Sequence, residues 1–137
     1  MDDPTPAADA TARYDAAMLQ VIMTLVISMR RGGLLLDVLP KRIADPQWRA
    51  EAIAEFGSWR TVLEALPTEV PPGYARVHAR LLRWAGAVGQ AGDAYAAAIA
   101  ARSAPLLRQA NRQMGKLPAL YAALNDALQR LAEKNQE

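Results

Sequence analysis

The sequence predicts an all-α protein, an up-down four-helix bundle whose C-terminal half is a long antiparallel helical hairpin. Three observations lead to this fold class. The chain has 137 residues, the usual size of one domain. Its hydrophobic fraction of 52% includes only one Phe, four Tyr and three Trp, and alanine, the best helix former, is abundant. Apolar residues recur at intervals of three and four, with proline and glycine between the periodic segments.

The N-terminal residues are acidic and polar and contain two prolines. We expect residues 1–10 to be a disordered leader to a single domain over residues 11–137. An acidic start is the reverse of a signal peptide, and the strongest apolar run, residues 18–29, is too short to span a bilayer. We therefore expect no transmembrane segment. The location is expected to be cytoplasmic, or extracytoplasmic if the protein continues upstream of Met1.

Helix A is predicted over residues 11–31, ending at Gly32-Gly33. No charged residue occurs between Asp15 and Arg30, so this helix is apolar around most of its circumference. Such a helix is either central in its domain or covered by a second subunit. Val21 with Leu25 and Ile22 with Val26 are expected to point to different sides of the helix, so that one pair faces the core while the other meets the partner. The candidate interface residues are Val21, Ile22, Leu25 and Val26.

Helix B is predicted over residues 46–66, because Asp45 suits the N-cap and Pro46 the first helical position. The proline-rich segment 67–73 follows it and is the clearest boundary in the chain. The apolar positions of helix B share three- and four-residue spacings and predict its core face. They are Trp48, Ala52, Phe56, Trp59, Leu63 and Leu66.

Helices C and D are predicted over residues 72–102 and 104–134, and their matched lengths indicate the antiparallel hairpin. A kink or break of helix C near Gly92 is left open, because glycines weaken its middle. Helix D begins at the N-cap Ser103 and is predicted to be one helix kinked near Pro118, since its apolar seam keeps the same register throughout. The seam residues are Leu107, Ala110, Met114, Leu117, Tyr121, Leu124, Leu128 and Leu131.

The formal net charge is +2, but it is unevenly distributed. Residues 1–69 contain seven basic and ten acidic residues, and residues 70–116 contain seven basic and one acidic residue. Internal pairing of the two segments is the favoured explanation, and a polyanion-binding face is the alternative. The hairpin is expected to place the basic residues of helices C and D toward opposite ends. The candidate polyanion contacts are Arg76, Arg80, Arg83, Arg102, Arg108, Arg112 and Lys116.

One stretch of the sequence resembles a group of uncharacterised bacterial helical-bundle proteins, which are often extracytoplasmic and lipid-anchored. The shared features are Pro71-Pro72, Tyr74, His78, Leu81-Leu82 and Gly92-Asp93. The resemblance extends over roughly residues 46–131 and implies a helical bundle, with no activity attached. This chain differs from the group because it lacks both a signal peptide and a lipid-anchor cysteine.

No catalytic, cofactor-binding or metal-ligating residue is predicted. The absence of cysteine excludes thiol nucleophiles, disulfides and zinc–thiolate sites. His78 is the only histidine, which falls short of a di-metal bundle site, so we expect it to be hydrogen-bonded to a neighbour. The glycines Gly86, Gly89 and Gly92 follow no strand and precede no phosphate-loop lysine. We therefore expect the protein not to be an enzyme.

Three functional hypotheses follow. The leading hypothesis is a non-enzymatic interaction module that self-associates or belongs to a larger assembly, because helix A is so apolar. The second is a helical protein that binds nucleic acid or another polyanion through its arginines, which we favour less. The third is a bundle that holds an apolar ligand or haem between helices. Its candidate wall residues are Met18, Met23, Met29 and Met114.

Overall fold

The computed structural model describes residues 6–135, and over this range it is an all-α helical bundle without a strand. The fold class predicted from the sequence is confirmed. Five α-helices and one 3₁₀ segment follow each other along the chain. They are α1 (Pro6–Arg42), α2 (Pro46–Ser58), the 3₁₀ segment (Arg60–Ala65), α3 (Ala75–Ala101), α4 (Ala104–Met114) and α5 (Leu117–Asn135).

Helix α3 lies at the centre of the packing. It contacts α1, α2, the 3₁₀ segment, α4 and α5, whereas α1 packs against α2, the 3₁₀ segment and α3. The chain reverses after α3 at Arg102, whose φ of 49° is left-handed, and α4 and α5 return along α3. The predicted C-terminal hairpin is therefore present. Its buried α3 residues are Val77, Leu81, Trp84, Ala85, Val88, Gly89, Ala91, Gly92, Tyr95, Ala98 and Ile99.

Helix α1 is longer than predicted at both ends. It begins at Pro6, so the described part of the predicted leader is helical, and residues 1–5 lie outside the described residues. It also continues through Gly32-Gly33 to Arg42. A Cβ at Gly32 would lie 2.5 Å from Cζ2 of Trp59 and 2.8 Å from Cε1 of Phe56. Gly32 is therefore a site of close packing within the helix, and the predicted helix end is wrong.

The predicted helix B divides into two parts. Helix α2 begins as expected, with the Asp45 side chain accepting a hydrogen bond from the backbone N–H of Gln47 at 3.0 Å. It ends at Ser58, and the chain tightens into the 3₁₀ segment from Arg60 onward. The predicted core face is largely in place, because Trp48, Ala52, Phe56 and Trp59 are buried while Leu63 and Leu66 are half-buried.

Helix α3 has no break at Gly92. A Cβ at this position would clash with the backbone oxygen of Phe56 and lie 3.0 Å from Cβ of Trp59. Glycine is therefore required by the close approach of α2, and the stability that glycine costs the helix is offset by this contact. The helix begins at Ala75, after the predicted start at residue 72.

The predicted helix D is two helices, which corrects the prediction of one kinked helix. Ser103 caps α4 by accepting from the backbone N–H of Leu106 at 3.2 Å, as the sequence indicates. Helix α4 ends at Met114, and α5 begins at Leu117. Pro118 has no N–H to continue the hydrogen-bond ladder, and Gly115 adds backbone freedom, so the helix opens here. The apolar residues keep the same spacing across the break because both α4 and α5 pack against α3.

Candidate functional site

Helix α1 carries an apolar surface that no other part of the described chain covers. Six of the nine exposed large hydrophobic side chains lie on this one helix. At about 100° per residue these positions fall on one side of the helix, within an arc of roughly 120°. Leu34 is 64% exposed and Leu19 is 56% exposed. We call this surface the α1 apolar face, and it consists of Leu19, Met23, Val26, Ile27, Leu34 and Val38.

The opposite side of α1 faces the core. Val21 and Leu25 are completely buried, so they cannot reach a partner in the folded chain. Ile22 is half-buried and packs against the core. Of the four predicted interface residues only Val26 is exposed. The two predicted pairs, Val21 with Leu25 and Ile22 with Val26, thus lie on different sides of the helix, and Val26 belongs to the α1 apolar face.

A groove beside Val26 continues the apolar surface toward the C-terminal hairpin. It has a volume of about 450 Å³ and lies between α1 and the junction of α4 and α5. Trp84 lines the groove, and the ring centroids of Trp84 and Tyr121 are 5.2 Å apart. Of the four methionines predicted to line an apolar-ligand site, Met29 and Met114 line this groove. The remaining lining residues are Leu117 and Pro118.

A cluster of aromatic residues joins α1 to the start of α3. The hydroxyl of Tyr14 and Nδ1 of His78 share a hydrogen bond of 3.0 Å, as expected for a histidine with a structural role. The rings of Tyr14 and Tyr74 meet edge to face at 5.0 Å. Burial is the main cause that raises the pKa of each tyrosine to about 12, and Asp15 contributes to both shifts. The hydrogen bond and the ring contact connect α1 to the start of α3.

Among the described residues, the basic side chains of the middle segment form no ion pair with an acidic one. The described residues form two ion pairs, Arg60 with Asp93 at 2.7 Å and Arg130 with Asp126 at 3.0 Å. The prediction that the acidic and basic segments neutralise each other is therefore wrong. All seven candidate polyanion contacts lack an ion pair with a described residue, and six of them are exposed while Arg80 is half-buried.

Two of these basic residues meet at one groove on the outer side of α3. Arg83 of α3 and Lys116, which lies between α4 and α5, line a groove of about 600 Å³. The prediction that the two basic sets lie toward opposite ends is corrected at this point, because Arg83 and Lys116 line the same groove. We call this the basic groove, and its other lining residues are Leu82, Gly86, Ala87, Gln90, Ala119 and Leu120.

Residues 6–135 lack the features of a membrane span and of a metal site. Residues 6–135 contain no helix with both the length and the apolar character needed to cross a bilayer. They also bring together no group of three or more His, Asp or Glu side chains that could hold a metal ion.

Comparison with known proteins adds no relative. The sequence matches no family model, no curated protein and no solved structure. The resemblance seen in residues 46–131 therefore has no support beyond those residues themselves.

Proposed function

We propose that this protein is a non-enzymatic helical interaction module that self-associates through the α1 apolar face. The observation that carries the proposal is the concentration of exposed large hydrophobic side chains on one side of one helix. Single exposed apolar residues are ordinary on protein surfaces, but contiguous ones mark interaction sites. From Leu19 to Leu34 the face extends for about 22 Å along the helix.

The charges that flank this face favour a second copy of the same helix in antiparallel orientation. Within the described residues, the N-terminal part of α1 (residues 8–22) has two acidic residues and one basic residue. The C-terminal part (residues 23–42) has four basic residues and one acidic residue. Parallel packing would place two positive ends together, whereas antiparallel packing places each positive end beside a negative one. A two-fold axis near residues 26 and 27 then gives the greatest apolar overlap.

The groove between α1 and α5 supports the same proposal. A helix that covers the α1 apolar face lies beside Val26, at the edge of this groove. Side chains of the second copy can then extend over Tyr121 and Met114, which are half-buried in the single chain. Packing of this kind buries apolar surface on both copies, and a two-fold interface uses the same patch twice.

Multi-angle light scattering across a range of micromolar concentrations tests the proposal. We expect the wild-type mass to be that of a dimer, and we expect Leu19→Glu with Met23→Glu to give a folded monomer. Both residues are more than half exposed, so the folded chain tolerates the change. Leu106→Glu is the matched control, because Leu106 is an exposed apolar residue on α4, away from the face.

The outcomes separate the possible occupants of the face. A wild-type monomer at every concentration overturns the proposal. If that monomer binds anionic phospholipid vesicles and the double variant does not, the face serves a membrane surface instead. A dimer that survives the double variant but not a change elsewhere places the interface on another surface.

Polyanion binding is a second candidate, favoured because none of the seven basic residues forms an ion pair with a residue that the structure describes. Binding through phosphate contacts weakens steeply with salt, in proportion to the number of phosphates neutralised. We expect duplex DNA or heparin to bind at low salt and to dissociate as salt is raised. Glutamate at Arg76 and Arg108 should reduce the salt dependence, and a complete absence of binding at low salt removes this candidate.

A further inference from the structure

The basic groove combines basic side chains with a largely apolar lining. Arg83 and Lys116 come from different elements and converge on one groove, and neither forms an ion pair with a described residue. The amide of Gln90 also lines the groove. A ligand lying there would therefore meet two positive charges and one neutral hydrogen-bonding group, and no acidic side chain lines the groove.

The rest of the groove is apolar and open. Ala87 and Ala119 leave room between α3 and α5, and the side chains of Leu82 and Leu120 border the space. Gly86 contributes in a different way from the other glycines of α3. Whereas Gly89 and Gly92 pack closely against neighbouring groups, a Cβ at Gly86 would meet nothing within 4 Å. Internal packing does not require a glycine here.

We propose that the basic groove binds a single-chain anionic amphiphile, with the anionic head beside Arg83 and Lys116 and the alkyl chain along the floor at Gly86 and Ala119. Charge complementarity sets the sign of the head group. The apolar floor accounts for the chain, because a small hydrated anion would gain nothing from it. The volume of about 600 Å³ is within the ordinary range of small-ligand sites.

This inference does not depend on self-association. The α1 apolar face and the basic groove share no residue, and no α1 residue lines the basic groove. It also differs from general polyanion binding, which uses exposed charges without an apolar floor. The ligand must carry both parts, and this requirement makes the site testable.

Isothermal titration calorimetry with dodecyl phosphate, below the concentration at which it forms micelles, tests the proposal. Inorganic phosphate supplies the head alone, and dodecyl maltoside supplies the same alkyl chain with a neutral head. We expect dodecyl phosphate to bind at least about tenfold more tightly than either, because only it uses both the charges and the apolar floor. Added salt should weaken the binding without abolishing it.

Two variants locate the site. Gly86→Leu fills the groove without a clash at Cβ and places a better helix former in α3, so the protein should stay folded. We expect it to weaken dodecyl phosphate binding at least about tenfold, since the added side chain displaces two or more methylene groups. Gly57→Leu is the matched control, because a Cβ at Gly57 also meets nothing within 4 Å and Gly57 does not line this groove.

Charge reversal completes the design. Lys116→Glu should weaken dodecyl phosphate binding several-fold and leave dodecyl maltoside binding unchanged. Equal binding of inorganic phosphate shows an anion site without a chain site, and equal binding of dodecyl maltoside shows an apolar site without a charge requirement. Either result, an absence of binding, or a Gly86→Leu variant that binds as the wild type does overturns the proposal.

Discussion

Helices α1 and α3 are both rich in apolar and small residues, but the structure surrounds them differently. Helix α3 contacts every other element and buries eleven residues over about half of its circumference. Helix α1 buries one side and exposes a line of large apolar residues on the opposite side. The sequence of α1 is thus more apolar than its place within one chain requires. In the proposed function, a second copy of the chain covers this exposed side.

The small residues of α3 explain why it can occupy the centre. At Gly92 the helix approaches the backbone of Phe56, and at Gly89 a Cβ would lie 3.2 Å from Cδ1 of Leu63. Close approach of this kind lets several elements share one helix. Helix α1 achieves such an approach at Gly32, where Phe56 and Trp59 press against it.

The largest expected effect separates the two sides of α1. Leu25→Asp places an unpaired charge in the core, since Leu25 is completely buried. We expect it to cost at least about 4 kcal/mol of the free energy of unfolding, or to prevent folding. Met23→Asp, on the exposed side, should cost the monomer less than about 1 kcal/mol. Urea denaturation at protein concentrations low enough to keep both chains monomeric measures both, and equal losses would show that Met23 is also buried within the single chain.

The next effect concerns the aromatic contact between α1 and α3 at high pH. The pKa of Tyr14 and that of Tyr74 are both raised from 10.0 to about 12 by burial first. The stability tied to these raised values is complete below pH 10 and is lost as pH rises to 12, because the unfolded tyrosines ionise first. The double variant Tyr14→Phe with Tyr74→Phe should show a smaller decrease of the melting temperature as the pH rises over this range. An equally steep decline in the double variant would contradict this explanation.

A smaller effect distinguishes two glycines within α3. Gly92→Ala should lower the free energy of unfolding by about 1–3 kcal/mol, because the new methyl group meets the Phe56 backbone and Trp59. Gly86→Ala should raise it by about 0.5–1 kcal/mol, because the methyl group enters open space and alanine favours the helix. Thermal melts of the two variants compare them directly. Changes of the same sign would mean that α3 does not pack against α2 as described.

The smallest effect is expected at the exposed charges. Arg112 is exposed in the last turn of α4 and forms no ion pair with a described residue. Arg112→Glu should therefore change the free energy of unfolding by less than about 1 kcal/mol, mainly through the helix dipole. Denaturation at low and high salt checks this. A loss of several kcal/mol would reveal a buried partner for Arg112.

Local signals in the sequence predicted the starts of the two helices that have a side-chain cap, α2 and α4. Asp45 and Ser103 each cap a helix through a side-chain oxygen, which depends on neighbouring residues alone. Helix interiors were predicted less well, because Gly32 and Gly92 have local preferences that packing against Phe56 and Trp59 overrides. At Pro118 the local preference decided the structure. The missing N–H interrupts the helix although the apolar spacing continues through it.

The side of α1 that faces outward could not be identified from the sequence. The polar residues Arg13, Gln20, Thr24, Ser28 and Arg31 form a narrow stripe, which was the only sequence feature that separated one apolar side of α1 from the other. The structure buries Ser28, which is 7% exposed, and leaves Thr24 half-buried, whereas the other three are exposed. The stripe therefore borders the core and does not by itself mark the solvent side. Only tertiary packing shows that Leu19 and Leu34 are exposed.

Disulfide formation between introduced cysteines tests the antiparallel pairing of α1 most directly, since the natural chain has no cysteine. A disulfide requires Cα atoms within about 7 Å. With a two-fold axis near residue 26, Val26→Cys should form a dimer with itself on mild oxidation. Leu34→Cys alone should not, because the two copies would be about 22 Å apart, but it should pair with Leu19→Cys when the two variants are mixed. Self-pairing of Leu34→Cys, or no disulfide in any of these samples, would contradict an antiparallel contact through the α1 apolar face.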